Sequence, residues 1–245
     1  MSPKNILFIS FIIFTFGVLA VAVAPLKEGA ETTSWPEALE REYGAPAYKS
    51  IDPNQNIIGQ KLRIQIGDRE FEIPKVFISS PVKDGDQVDG LNLIYVLPDF
   101  TPRSAFKSKA EYQEALDNQR FGNMLIRPLN NATPIKKIIE NKKKFGLLTR
   151  TGQSEYGLTF FTDEHVFEGV RSHYNDHYIE FDQNGDAKSV LECRHAGTVK
   201  YSGCRFYFVD NGLHYTVSFN REKYLKEWKS IREHAVLFVN SFIKK

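Results

Sequence analysis

Hydrophobic and polar positions alternate through much of this chain after residue 60, and the period changes at a few places that mark helices. In "KLRIQIGDREFEIP", Leu62, Ile64 and Ile66 alternate with polar residues, Gly67-Asp68 turns the chain, and Phe71 and Ile73 alternate back. This predicts a hairpin, and Gly at the first central turn position suits a type II′ turn. "KVFISSP" and "LNLIYVLP" predict two more strands. The period then becomes helical. "SKAEYQEALDNQ" sets Tyr112, Ala115 and Leu116 on one face behind a Ser108/Glu111 capping box. "TPIKKIIENKKKFG" sets Ile135, Ile138 and Ile139 on another, with Thr133 as cap, Pro134 at the first helical position and Gly146 as the stop.

From Gly146 onward strand patterns recur in "YGLTFFT", "HVFEGVR", "HYIEFD", "AKSVLECR", "TVKYSGCRFYFV" and "LHYTVSFN". Gln183-Asn184-Gly185-Asp186 and Asp210-Asn211-Gly212 supply turns from residues that tolerate positive φ. Short turns between successive strands predict an antiparallel meander, not a parallel sheet with crossover helices. The chain closes on a helical pattern in which Leu225, Trp228, Ile231, Ala235, Val239 and Phe242 form one stripe, to be buried against a sheet face. The fold class expected is therefore α+β: an N-terminal transmembrane segment, then a mainly antiparallel sheet packed with a few helices, including an amphipathic C-terminal one.

That transmembrane expectation rests on Ile6 to Ala24, an apolar run interrupted only by Ser10, Thr15 and Gly17. At about 1.5 Å per residue it spans a hydrocarbon core of roughly 30 Å, and it exceeds the roughly 7–15 residues of a signal-peptide apolar region. The reading is an uncleaved anchor. Ala20, Ala22 and Ala24 offer the alternative, a signal cut near Ala22 or Ala24, although Pro25 would follow the second cut; a buried core helix is the third reading. Residues 1–25 are thus assigned to the membrane segment, 26–55 to a Pro-, Gly- and charge-rich tether with a short helix after Ser34, and 56–245 to an α+β body outside the cytoplasm. The expected location is the inner membrane, crossed once, with the body facing the periplasm; cleavage would release a periplasmic or secreted protein.

The composition, 42% hydrophobic and 13% aromatic over 245 residues, is ample for a packed core. With 32 basic against 30 acidic residues the chain lacks the basic excess of a dedicated nucleic-acid binder, and no nucleic acid is expected as a partner. The cysteines refine the compartment. "CRHAGTVKYSGC" puts Cys193 and Cys204 at the ends of a strand, turn and strand, which suits one disulfide in an oxidising compartment. Closing that loop contributes roughly 3 kcal/mol by chain entropy; two buried reduced thiols are the alternative.

Candidate chemistry concentrates in "EHVFEGVRSHYNDH", where His165, His173 and His177 lie near Glu164, Glu168 and Asp176. Three imidazoles and a carboxylate suit a hydrolytic zinc with an open position. On a strand, however, His173 and His177 stand about 13 Å apart, too far to share an ion. The run Lys136, Lys137, Lys142, Lys143 and Lys144 reads as the solvated face of its helix, the last three favouring the negative C-terminal end. "FDQNGD" reads as a hairpin turn because its glycine and the missing distal Glu do not fit a calcium loop. No nucleophile elbow, phosphate loop, dinucleotide fingerprint or Cys-x-x-Cys is present, and no cofactor is expected.

The last fifty or so residues, through "CRHAGTVKYSGC", "HYTVSFNREKYLKEWKSI" and "VNSF", resemble the ends of small uncharacterised envelope proteins of Gram-negative bacteria. The resemblance lies in Cys193, Cys204, Ser218, Phe219, Arg221 and Trp228, a hairpin with its cysteine pair leading into a Trp-containing helix. Some such proteins are immunity partners of contact-dependent toxins. The function expected is that of a membrane-tethered periplasmic protein that binds another protein, either a toxin or an envelope component. A metal-dependent hydrolase built on the His cluster is the rival, with a non-enzymatic role favoured over it. If the anchor is retained, the intact mass of the protein taken from host membranes will equal the full-chain 28.1 kDa; a mass short by residues 1–22 or 1–24 selects the cleaved form.

Overall fold

A computed structural model describes residues 59–146, 148–162, 175–195 and 202–244. The apolar N-terminal segment, the tether and the strand expected in "HVFEGVR" lie outside the described residues. The predicted hairpin is β1 (Lys61–Ile66) and β2 (Arg69–Pro74), antiparallel with Ile66 opposite Arg69. Gly67 takes φ +64°, as the first position of a type II′ turn demands. β3 (Gln87–Val88) adds to β1 in parallel and completes a three-stranded sheet.

The larger sheet contains β4 (Leu91–Val96), β5 (Phe121–Pro128), β6 (Thr149–Glu155), β7 (Leu158–Thr162), β8 (Asn175–Phe181), β9 (Ala187–Arg194), β10 (Gly203–Asp210) and β11 (Leu213–Asn220). Its order is β4-β5-β11-β10-β9-β8-β7-β6, and neighbouring strands run antiparallel. From β6 to β11 each strand lies beside its successor, which is the meander read from the sequence; β11 then docks on β5. The β10–β11 turn has Asn211 at φ +44° and Gly212 at φ +69°, the pair of positive values a type I′ turn needs.

Two helices sit between strands. α1 (Lys109–Asp117) is capped by Ser108, whose Oγ accepts from the Glu111 N–H at 3.2 Å. Glu111 Oε2 reaches back to accept from the Lys107 N–H at 2.8 Å, one residue further out than a capping box requires. α2 (Ile135–Lys144) starts one residue later than expected: Pro134, not Thr133, stands at the N-cap, and no side chain caps the helix. The C-terminal pattern, expected as one helix, is split into α3 (Arg221–Tyr224), a 3-10 turn over Leu225–Glu227 and α4 (Trp228–Asn240). Tyr224, Leu225 and Trp228, which span the break, are all buried.

The strand expected in "KVFISSP" is also corrected. Lys75–Phe77 form a 3-10 turn, and Ile78 makes only an isolated bridge to Leu93. Pro74 and Pro81, which lack an N–H, bracket a stretch too short for a ladder. β5 and β6 were not foreseen.

Side-chain alternation divides the large sheet into two faces. One carries Leu93, Met124, Tyr215, Val217, Phe206 and Leu191 into a core shared with Ile64, Ile66, Phe71 and Ile73 of the small sheet. The α4 stripe of Trp228, Ile231, Ala235 and Val239 closes that core. The opposite face carries Phe161, Ile179 and Val190 against Ile135 and Ile139 of α2. Glu72 N–H donates to the Phe242 carbonyl at 2.8 Å and Lys244 N–H to the Glu70 carbonyl at 3.0 Å, so the chain end lies along β2.

The order α4, large sheet, α2 makes Trp228 a test of the whole arrangement. It is 3% exposed, meets Phe206 edge-on at 5.8 Å between centroids, and its indole N–H donates to the Tyr156 carbonyl at 3.1 Å. Trp228→Ala is expected to lower the unfolding free energy by about 3–5 kcal/mol, read from urea transitions followed by circular dichroism; a change under about 1 kcal/mol would contradict this packing.

Candidate functional site

Three places in the described residues gather polar side chains. The first is the end of the sheet where β9 meets β10. Cys193 and Cys204 are direct cross-strand partners there and form a disulfide. Cys193 also stands opposite Asp176 of β8. Asp176 is 1% exposed and is neutralised by Arg221 of α3, whose Nη1 lies 2.5 Å from Oδ2. Thr162 Oγ1 donates to Oδ1 at 3.3 Å and His195 Nδ1 lies 3.1 Å from it. Arg221 also donates to Tyr178 Oη and to the Arg194 carbonyl, each at 2.8 Å. A buried carboxylate is tolerated only when paired and hydrogen-bonded in this way. Its oxygens are taken up by neighbours, so the constellation works as a clamp between the meander and the C-terminal helices.

The second place holds the one described member of the expected histidine cluster; His165 and His173 lie outside the described residues. His177 is 1% exposed on the α2 face of β8, opposite Phe161 and Glu192. Neither ring nitrogen has a hydrogen-bond partner. Burial, reinforced by the Lys142 charge, lowers its pKa from 6.5 to about 4, against the opposing pull of Glu192 and Asp176. Beside it Lys142 donates to Glu192 Oε1 at 3.1 Å, and Asn175 Nδ2 donates to the same oxygen at 3.1 Å. Lys142 is therefore no part of a solvated face: its side chain is 15% exposed and tied to the sheet. Among the described residues no group of three or more His, Cys, Asp or Glu gathers to hold a metal.

The third place was not legible in the sequence. A groove of about 470 Å³ runs along the N-terminal end of α2. Leu129, Pro134, Ile135, Ala187 and Val209 make its walls apolar. Lys136, Lys188 and Arg232 reach it from α2, β9 and α4, and His214 of β11 lines it with Nε2 unpartnered. Burial, with Arg127 nearby, keeps the His214 pKa below its ordinary value. These residues come from four elements, and only their three-dimensional assembly reveals the charge they share.

No family model matches the chain, and no curated protein matches it by sequence. Solved structures do match in fold. An immunity protein of the Stenotrophomonas maltophilia type IV secretion system superposes with a TM-score of 0.54 at 17% identity, over 76% of this chain and 94% of its own. The Neisseria meningitidis iron-regulated outer membrane lipoprotein FrpD gives 0.50 at 11% identity, over 77% and 95%. At these identities the likeness is one of fold. That likeness covers about three quarters of this chain.

The buried imidazole gives a pH signature. Between pH 6.5 and about 4 the unfolded chain takes up a proton at His177 that the folded chain does not. Stability therefore falls as pH drops through that window, by up to about 3 kcal/mol from this residue, and levels off below it. Urea midpoints at pH 7 and pH 4.5 should differ less for His177→Phe than for the native chain; equal differences would place the imidazole in water.

Proposed function

We propose that this is an envelope protein that works by binding another protein, with immunity to a secreted toxin as its leading service and envelope-complex assembly as the second. The observation that carries the proposal is the fold-level match to an immunity protein over most of both chains. The outer membrane lipoprotein among the fold neighbours supports an envelope setting. So does the disulfide, which persists in oxidising compartments. In this reading Ile6 to Ala24 holds the chain in the inner membrane and the body faces the periplasm. Among the described residues no helix is long and apolar enough to cross a membrane.

The hydrolase reading gains no support from His177, whose ring is 1% exposed and stands in no group of three or more His, Cys, Asp or Glu that could hold a metal among the described residues. The architecture also suits a binding role physically. Helices and a second sheet cover both faces of the large sheet, which leaves recognition to surface side chains and grooves on a rigid frame. Native mass spectra of the protein extracted from its host without reductant should show the 28.1 kDa chain in complex with a second protein. A lone chain carrying stoichiometric metal would overturn the proposal in favour of the enzyme.

A further inference from the structure

The polar groups under α2 suit a neutral His177 and leave no place for its charged form. The ring is 1% exposed on the sheet face that α2 covers, between its register partners Phe161 of β7 and Glu192 of β9. Both ring nitrogens lack a hydrogen-bond partner. A neutral imidazole carries one N–H; the imidazolium carries two, and both need acceptors. The charged groups around the ring are Lys142 from α2, Glu192 from β9 and, on the other face of its own strand, Asp176. Both carboxylates are already engaged. Glu192 Oε1 accepts from Lys142 and from Asn175, each at 3.1 Å, and the Tyr207 hydroxyl lies 3.5 Å from Oε2. Asp176 is taken up by Arg221, Thr162 and His195. Arg205 of β10, opposite Glu192, is exposed, as are Lys136, Lys137, Glu140, Lys143 and Lys144 of α2.

Of the walls around this ring, α2 is the one held least. β7, β8 and β9 are tied to one another by backbone ladders. α2 meets them chiefly through Ile135 and Ile139, set on Phe161, Ile179 and Val190, and through the Lys142–Glu192 ion pair. No side chain caps its first turn. A helix of ten residues is marginal in water without such packing. Lifting it gives water to both ring nitrogens without parting any strand from its neighbour.

We infer that α2 is an acid-released latch: protonation of His177 drives the helix off the sheet while the rest of the fold stays closed, uncovering Phe161, Ile179, Val190 and the imidazole itself. The direction follows from linkage. With α2 seated, burial first and the Lys142 charge second hold the His177 pKa at about 4; with α2 lifted, the ring returns to water and to its ordinary 6.5. The seated state binds fewer protons, so its advantage is full above pH 6.5 and is lost as pH falls towards 4. Between pH 7 and pH 5 the ratio of lifted to seated α2 therefore rises at least about tenfold. The latch does not rest on the protein-binding reading above.

Amide hydrogen exchange on the full chain, expressed as protection relative to the intrinsic rate at each pH, tests the latch. At pH 7 the amides of Ile135–Lys144 should already be less protected than those of β10 and β11, which open only with the whole fold. On going to pH 5 the α2 protection should fall at least about tenfold and stay below that of β10 and β11. In His177→Leu, and separately in His177→Phe, the fall in α2 should shrink to within about threefold, with the β10 and β11 amides reporting that each variant is folded. α2 amides as protected as those of β10 and β11 at both pH values overturn the latch, because the helix then leaves only on global unfolding. An acid loss of α2 protection that both variants keep in full overturns it too, because the proton then acts elsewhere than at His177.

Discussion

Six residue pairs between β5 and β11, from Leu213 opposite Pro128 to Ser218 opposite Asn123, join the two halves of this molecule. On one side of that ladder lie β4 and the small sheet; on the other lies the meander that begins at β6. β11 is the most buried strand of the sheet, with Leu213, Tyr215, Val217 and Phe219 directed into the core shared with α4. The ladder has no local turn to hold it, so its register is fixed by side chains. A one-residue slip would move all four apolar residues to the α2 face and bring His214, Thr216 and Ser218 into the core.

The two faces of the sheet hold different balances of polar groups. On the α4 face the buried Asp176 and the half-covered Glu180 each meet an arginine delivered by the C-terminal helices, Arg221 and Arg232. On the α2 face Glu192 is met by Lys142, while both ring nitrogens of His177 and Nε2 of His214 lie without partners. α2 therefore rests on a thinner apolar contact and one ion pair, whereas α4 is bound by an aromatic and aliphatic core. The groove lies where α2, packed over β7, β8 and β9, leaves Val209 and His214 beside its N-terminal end.

Much of this fold could be read along the chain because its signals are local. The hairpins announced themselves through Gly67, Gly185 and Asn211-Gly212, and the helices through Ser108 and the isoleucine stripe. β5 escaped because Gly122 and Pro128 look like breakers. Gly122 sits where a Cβ would come within 2.4 Å of the Tyr95 ring, so the glycine is demanded by a neighbour on β4. β6, "TRTGQSE", carries no apolar alternation for any periodicity to find. The disulfide was legible because its cysteines lie 11 residues apart at facing positions of two neighbouring strands. The groove was not, since Leu129, Lys188, His214 and Arg232 have no sequence relation and become neighbours only when β11 reaches β5 and α4 crosses the sheet.

The strand-like hold of the last residues on β2 sets an order of assembly. Glu70 and Glu72 lie early in the described chain, and the backbone groups they require belong to Phe242 and Lys244, some 170 residues downstream. During synthesis β1 and β2 can pair with each other as soon as they emerge, yet the outer edge of β2 stays open, and the aromatic cluster of Phe77, Phe238 and Phe242 stays unmade, until the residues after α4 have been added. Contacts of such long sequence separation form late and slowly. From its own emergence until residues 242–244 follow, β2 therefore presents an unpaired strand edge, the kind of surface on which other chains can pair.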